Sequence, residues 1–129
     1  MPSAALKNAL QGRLDLLQQL WERRDSDAIV RELYTENTEI TGAGSAALYS
    51  GSVQLRELLA ALVTDSRGAS IRIDRLTALG DNAAYTWVTW RVLPLDGEAF
   101  SMKSLFVWCL VDGAWRVLAD MYAEGEIPA

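Results

Sequence analysis

The chain of 129 residues contains no histidine. That absence removes imidazole-dependent nucleophilic catalysis and the histidine ligands on which most zinc, copper and non-haem iron sites depend. No spaced run of carboxylates resembles a magnesium or calcium loop, so neither a metal nor another cofactor is expected. Cys109 is the sole cysteine. It excludes an internal disulfide and suits a reducing, cytoplasmic setting. No apolar run approaches the roughly 20 residues that span a bilayer. Met1 to Leu10 has one lysine and no continuous apolar stretch, so it is not read as a signal peptide. A basic stripe is missing too. The 12 Lys and Arg residues are scattered and the net charge is −5, which argues against a nucleic-acid partner.

What is present suits one soluble domain, 1–129. Half the residues are apolar and 22% are charged, enough to bury a core. Leu6, Leu10, Leu14, Leu17 and Trp21 recur every three or four positions and predict a helix, with Ser3 as a candidate N-cap. A shorter helix is expected after Asp25 or Ser26, burying Ile29, Val30 and Leu33. Thr38 to Thr41 reads as a short strand. Gly42, Gly44, Ser50 and Gly51 read as loop. A third helix is expected from about Ser52, with Leu55, Leu58, Leu59, Leu62 and Val63 inward. It should stop near Ser66 to Gly68, the glycine taking a left-handed terminal conformation.

From Ala69 the period changes to two. Ile71 and Ile73 alternate with Arg72 and Asp74. Thr86, Val88, Trp90 and Val92 alternate with Tyr85, Trp87, Thr89 and Arg91. Phe100, Met102, Phe106 and Trp108 share a third face, and a last strand runs from about Trp115 to Tyr122. Turns are predicted at Gly80-Asp81-Asn82, Asp96-Gly97 and Asp112-Gly113; the Asp-Gly pairs suit hairpins whose central residues both need positive φ. Four long strands and three hairpins make an antiparallel meander covered by three helices.

This order resembles the nuclear-transport-factor-2-like superfamily, in its SnoaL-like and ketosteroid-isomerase-like branch. The resemblance rests on Asp27-Ala28-Ile29-Val30 leading into Leu33-Tyr34-Thr35-Glu36-Asn37, on Tyr49-Ser50-Gly51, and on Asp112-Gly113-Ala114-Trp115-Arg116-Val117. It implies an α+β, cystatin-like cone: three N-terminal helices packed on a strongly curved antiparallel sheet around an apolar pocket. That scaffold hosts enzymes, binders and assembly modules alike. By the same alignment the isomerase base falls on Gly42 and its oxyanion tyrosine on Leu17, neither of which performs that role. The arginine and first aspartate of limonene-epoxide-hydrolase-like enzymes fall on Val88 and Trp90, and the second aspartate on Asp120. SnoaL-like cyclases rely on an aspartate of the last strand, again Asp120.

Asp120 is thus the candidate catalytic residue, an acid/base group if it faces the cavity and an ordinary surface carboxylate or Arg116 partner if it faces out. Its strand leaves both open. One face carries Trp115, Val117, Ala119 and Met121; the other carries Arg116, Leu118, Asp120 and Tyr122. The expected pocket lining is Leu17, Trp21, Val88, Trp90, Met102, Phe106, Trp108, Leu118 and Tyr122. On the outer face Tyr85, Trp87, Thr89 and Arg91 suggest a homodimer interface. Three functions follow: a domain binding a small, mostly apolar organic molecule with turnover through Asp120; a non-catalytic homodimeric binding or assembly domain; a divergent epoxide hydrolase. An open cavity holding Asp120 favours the first. A cone filled by Trp21, Trp90 and Phe106 excludes a ligand.

Overall fold

Leu10, Leu14, Leu17, Leu20 and Trp21 form one stripe of the first helix, α1 (Ala4–Glu22), and all are buried. The computed structural model describes residues 4–128, so Ser3 lies outside the described residues. No helix among them is long and apolar enough to cross a membrane. The second helix, α2 (Ser26–Leu33), begins where an Asp25 carboxylate oxygen accepts from the Ala28 N–H at 3.1 Å, satisfying one of the free amides of its first turn. Its last carbonyls are met by two arginines. Arg13 donates to the Glu32 carbonyl, and Arg116 donates to the carbonyls of Arg31 (2.7 Å) and Tyr34 (3.1 Å).

The chain then enters β1 (Tyr34–Gly42) and a two-residue strand, β2 (Tyr49–Ser50). The expected strand at Thr38 to Thr41 is therefore longer, and part of the expected loop pairs with it. Helix α3 (Ser52–Thr64) follows, then β3 (Ser66–Ala78), β4 (Ala83–Pro94), β5 (Phe100–Val111) and β6 (Ala114–Glu124). The sheet order is β2-β1-β6-β5-β4-β3, with β1 parallel to β6 and the other pairs antiparallel. The four-strand meander, the three helices and the curved α+β cone agree with the sequence.

Gly68 corrects one detail. Asp65, not Gly68, ends α3, and Gly68 lies inside β3, where an added Cβ would approach the Glu22 side chain at 3.2 Å. Its lack of a side chain serves close packing of α1 on the sheet. At the β5–β6 turn both Asp112 (φ 51°) and Gly113 (φ 81°) take positive φ, as the hairpin reading requires. At 96–97 only the glycine does (φ 95°), because that connection is longer.

Two irregularities place the side chains that matter. In β1 the register with β6 shifts between Tyr34, opposite Val117, and Glu39, opposite Ala119. Thr38 bridges the gap, its buried hydroxyl donating to the Val117 carbonyl at 2.6 Å. In β6, Val107 of β5 faces Ala119 but its neighbour Trp108 faces Val117. Leu118 is the extra residue of a β-bulge, and a bulge changes which face the following residues occupy.

Candidate functional site

Up to Val117 the odd-numbered residues of β6 point into the cone; beyond the bulge Asp120 and Tyr122 do. Each sequence phasing of this strand is right for one half of it. Leu118 and Met121 are pushed to the outside, 36% and 55% exposed. Asp120 therefore lines the cavity, and the alternative that it faces solvent is excluded by the geometry. Leu118, expected in the lining, is outside.

A row of aromatic rings runs down the cone. Trp21 and Trp90 lie 5.2 Å apart, Trp90 and Phe106 6.0 Å apart, and Phe106 and Trp108 5.8 Å apart, the last two pairs edge to face. Each buried indole N–H has a hydroxyl: Trp21 donates to Ser66 Oγ (3.0 Å), Trp90 to Ser104 Oγ (3.1 Å) and Trp108 to Thr86 Oγ1 (2.9 Å). The narrow end is packed solid. Phe106, Trp108, Val88 and Leu17 belong to this buried core and do not line open space, contrary to the sequence reading.

At the wide end a cavity of about 250 Å³ remains. Of the expected lining, Trp21, Trp90, Met102 and Tyr122 are there, with Asp120. The expected lining omits Tyr34, Ile40 and Ser104 from the sheet, and Leu58 and Leu62 from α3. The signal for the leucines was present: α3 carries more inward apolar residues than a core contact needs, and Leu62 remains 37% exposed because it borders the cavity. Tyr34 precedes the residues that read as strand, so from sequence its phenol reads either as packed beneath a loop or as offered to a ligand.

The polar groups gather around Asp120. Across β1 it sits opposite Ile40, and across β5 opposite Phe106. The residue is only partly buried, yet its Oδ1 is out of reach of solvent and accepts no hydrogen bond among the described residues. Burial without a cation disfavours the charged form and lifts the carboxyl from its ordinary 3.8 to about 7; the nearby Ser104 hydroxyl pulls weakly the other way. Arg116, the sequence-level candidate partner, is instead committed to the carbonyls of Arg31 and Tyr34. The Tyr34 phenol is buried beside Asp120 and is pushed up by desolvation first and by that carboxylate second. Tyr122 moves the same way, for desolvation, Asp120 and Tyr49 in that order. No lysine or arginine lines the cavity, and no cluster of metal-ligating side chains occurs among the described residues.

The outer face carries a short polar network. Asp74 accepts from Arg72 Nε at 2.7 Å, and its other oxygen accepts from the Thr89 hydroxyl at 2.6 Å in a largely buried position. Thr89 in turn accepts from the Ile127 N–H at 3.2 Å, so the C-terminal segment folds back over this part of the sheet. Thr89 is covered by its own chain and is not free to form an interface. Tyr85, Trp87 and Arg91 keep at least part of their surface.

The comparisons accord with this geometry. A ketosteroid isomerase-like protein from Erwinia carotovora atroseptica is similar with a TM-score of 0.74 and 13% identity, over 93% of this chain and 96% of that one. An NTF-2 like protein from Shewanella oneidensis reaches 0.71 at 21% identity, covering 96% and 100%. An NTF2-like protein with a cystatin-like fold from Novosphingobium aromaticivorans reaches 0.72 at 17%, covering 95% and 84%. Likeness at such identities speaks for the fold alone. No curated protein matches the sequence. The family model of the SnoaL-like domain matches residues 15–118, from the first helix to the bulge before Asp120. By that match, and by a cone of NTF2-like architecture, the chain belongs to the SnoaL-like domain family.

Proposed function

We propose that this domain binds a small, mostly apolar organic molecule in its cone and exchanges a proton with it through Asp120. One observation carries the reading. A carboxyl with an unmatched buried oxygen lines a cavity whose other walls are almost entirely apolar. Small-molecule sites have that composition, with a few polar groups that orient the ligand. At about 250 Å³ the space is slightly below the roughly 300–1,000 Å³ usual for such sites, which favours a one- or two-ring molecule. A carboxyl titrating near pH 7 supplies acid and base forms in comparable amounts at neutral pH.

The test is a thermal-shift screen of lipophilic ketones, polyketide-like aromatics and epoxides, since a ligand of the native state raises its melting temperature. For any compound that is turned over, Asp120→Asn abolishes the rate and leaves the fold intact. Unchanged turnover in that variant would remove Asp120 from the mechanism.

For the outer face we propose a second copy of the chain as partner. Trp87, Leu105 and Met121 stand side by side across three adjacent strands, and Trp87 and Met121 are 37% and 55% exposed. A contiguous apolar row in the middle of a sheet is a feature of interfaces rather than of solvated surface.

A further inference from the structure

We infer that Tyr34 and Asp120 together hold one uncharged hydroxyl of the ligand, which makes the cavity selective for a phenol or alcohol over an organic acid or a plain hydrocarbon. This rests on the cavity being a ligand site, as proposed above.

Ser104 Oγ already accepts from the Trp90 indole, and its own hydrogen is left for the neighbouring carboxyl. Ser66 Oγ accepts from Trp21 and donates to backbone carbonyls. Asp120 Oδ1 has no partner, and neither the Tyr34 nor the Tyr122 phenol makes a hydrogen bond among the described residues, although all three residues line the cavity; of the two phenols Tyr34 is the buried one. Tyr34 and Asp120 come from adjacent strands, β1 and β6. One offers a donor and the other an acceptor. A hydroxyl both donates and accepts, so a single ligand oxygen matches the pair.

Charge narrows the class further. The groups facing Asp120 are Tyr34 from β1, Ser104 from β5, Tyr122 on its own strand and Tyr49 of β2 beside Tyr122. From the helical side come Trp21 and the leucines of α3, with Asp65 and Ser66 just beyond α3. None is a cation. A carboxylate or phosphate ligand would be desolvated beside Asp120 with nothing to neutralise it. A hydrocarbon of the same shape would enter but leave the phenol and the carboxyl unmatched, and sites built around a hydroxyl reject analogues that lack it. Tyr34 acts here as a specificity-determining contact.

Four probes of one shape test this: naphthol, methylnaphthalene, naphthoate and naphthylmethylammonium, each titrated at neutral pH by tryptophan fluorescence and calorimetry. Naphthol is expected to bind at least about tenfold more tightly than methylnaphthalene, with naphthoate weaker than both. In Tyr34→Phe, which keeps the ring and its packing, the preference for naphthol over methylnaphthalene falls by about three- to tenfold. In Asp120→Leu it falls further, while methylnaphthalene binding is retained. Equal binding of naphthol and methylnaphthalene, an unchanged preference in Tyr34→Phe, or tightest binding by the ammonium would each overturn the inference and leave the ligand cavity itself standing. Failure of all four to bind would overturn both.

Discussion

The ring of Tyr122 lies across Gly42, so closely that a Cβ on residue 42 would stand 2.5 Å from its Cε2. The two residues are register partners in β6 and β1. Gly42 does not take positive φ, so its glycine is needed for space and not for backbone freedom. Gly42→Ala is expected to push the phenol aside and to cost about 1–3 kcal/mol in denaturant unfolding. In a Tyr122→Ala background the same change becomes nearly neutral. A full cost in both backgrounds would place the clash elsewhere.

Asp120 gives the stability of the protein a definite pH dependence. Its folded-state value of about 7 exceeds the ordinary 3.8, so the native state holds a proton that the unfolded chain has released between those values. Stability therefore falls as pH rises from about 4 to 7 and levels off above, the loss being on the order of a few kcal/mol. The absence of histidine leaves the region from pH 5.5 to 7 to this group. Asp120→Leu flattens that slope and raises the melting temperature at pH 8. A slope that persists in the variant assigns the titration to another residue.

Each indole N–H of the cone depends on one hydroxyl. Thr86→Val keeps the shape of the side chain and strands the Trp108 donor, at an expected cost of about 1–3 kcal/mol. Thr86→Ser retains the bond and loses less. If both variants are equally unstable, the methyl packing of Thr86 matters more than its oxygen.

For the proposed dimer, Trp87→Glu and Met121→Glu each put a charge on the exposed apolar row. Both are expected to give monomers in sedimentation at concentrations where the unaltered chain is a dimer, with unchanged secondary structure. Arg91, nearer the C-terminal segment, should be tolerant of the same exchange.

Much of the fold was legible because its periods are uninterrupted. Leu10, Leu14, Leu17 and Trp21 repeat at helical spacing, and β4 alternates from Ala84 to Val92 without a break. The candidate site was less legible. Tyr34 enters the cavity through a parallel pairing of β1 with β6 that local pattern does not reveal, since its partner lies far along the chain. Leu58 and Leu62 look like core leucines until the rings opposite them prove too few to fill the cone.

The sequence by itself determined that no imidazole, disulfide or basic cluster takes part. Through the family resemblance it also pointed to a carboxylate of the last strand, Asp120, and left open which way that carboxylate faces. Only the tertiary structure decided that Asp120 points inward. Alternation in a strand fixes how neighbours face relative to one another, but one extra residue reverses it. Whether Leu118 is that residue depends on how β6 pairs with Val107 and Trp108 of β5.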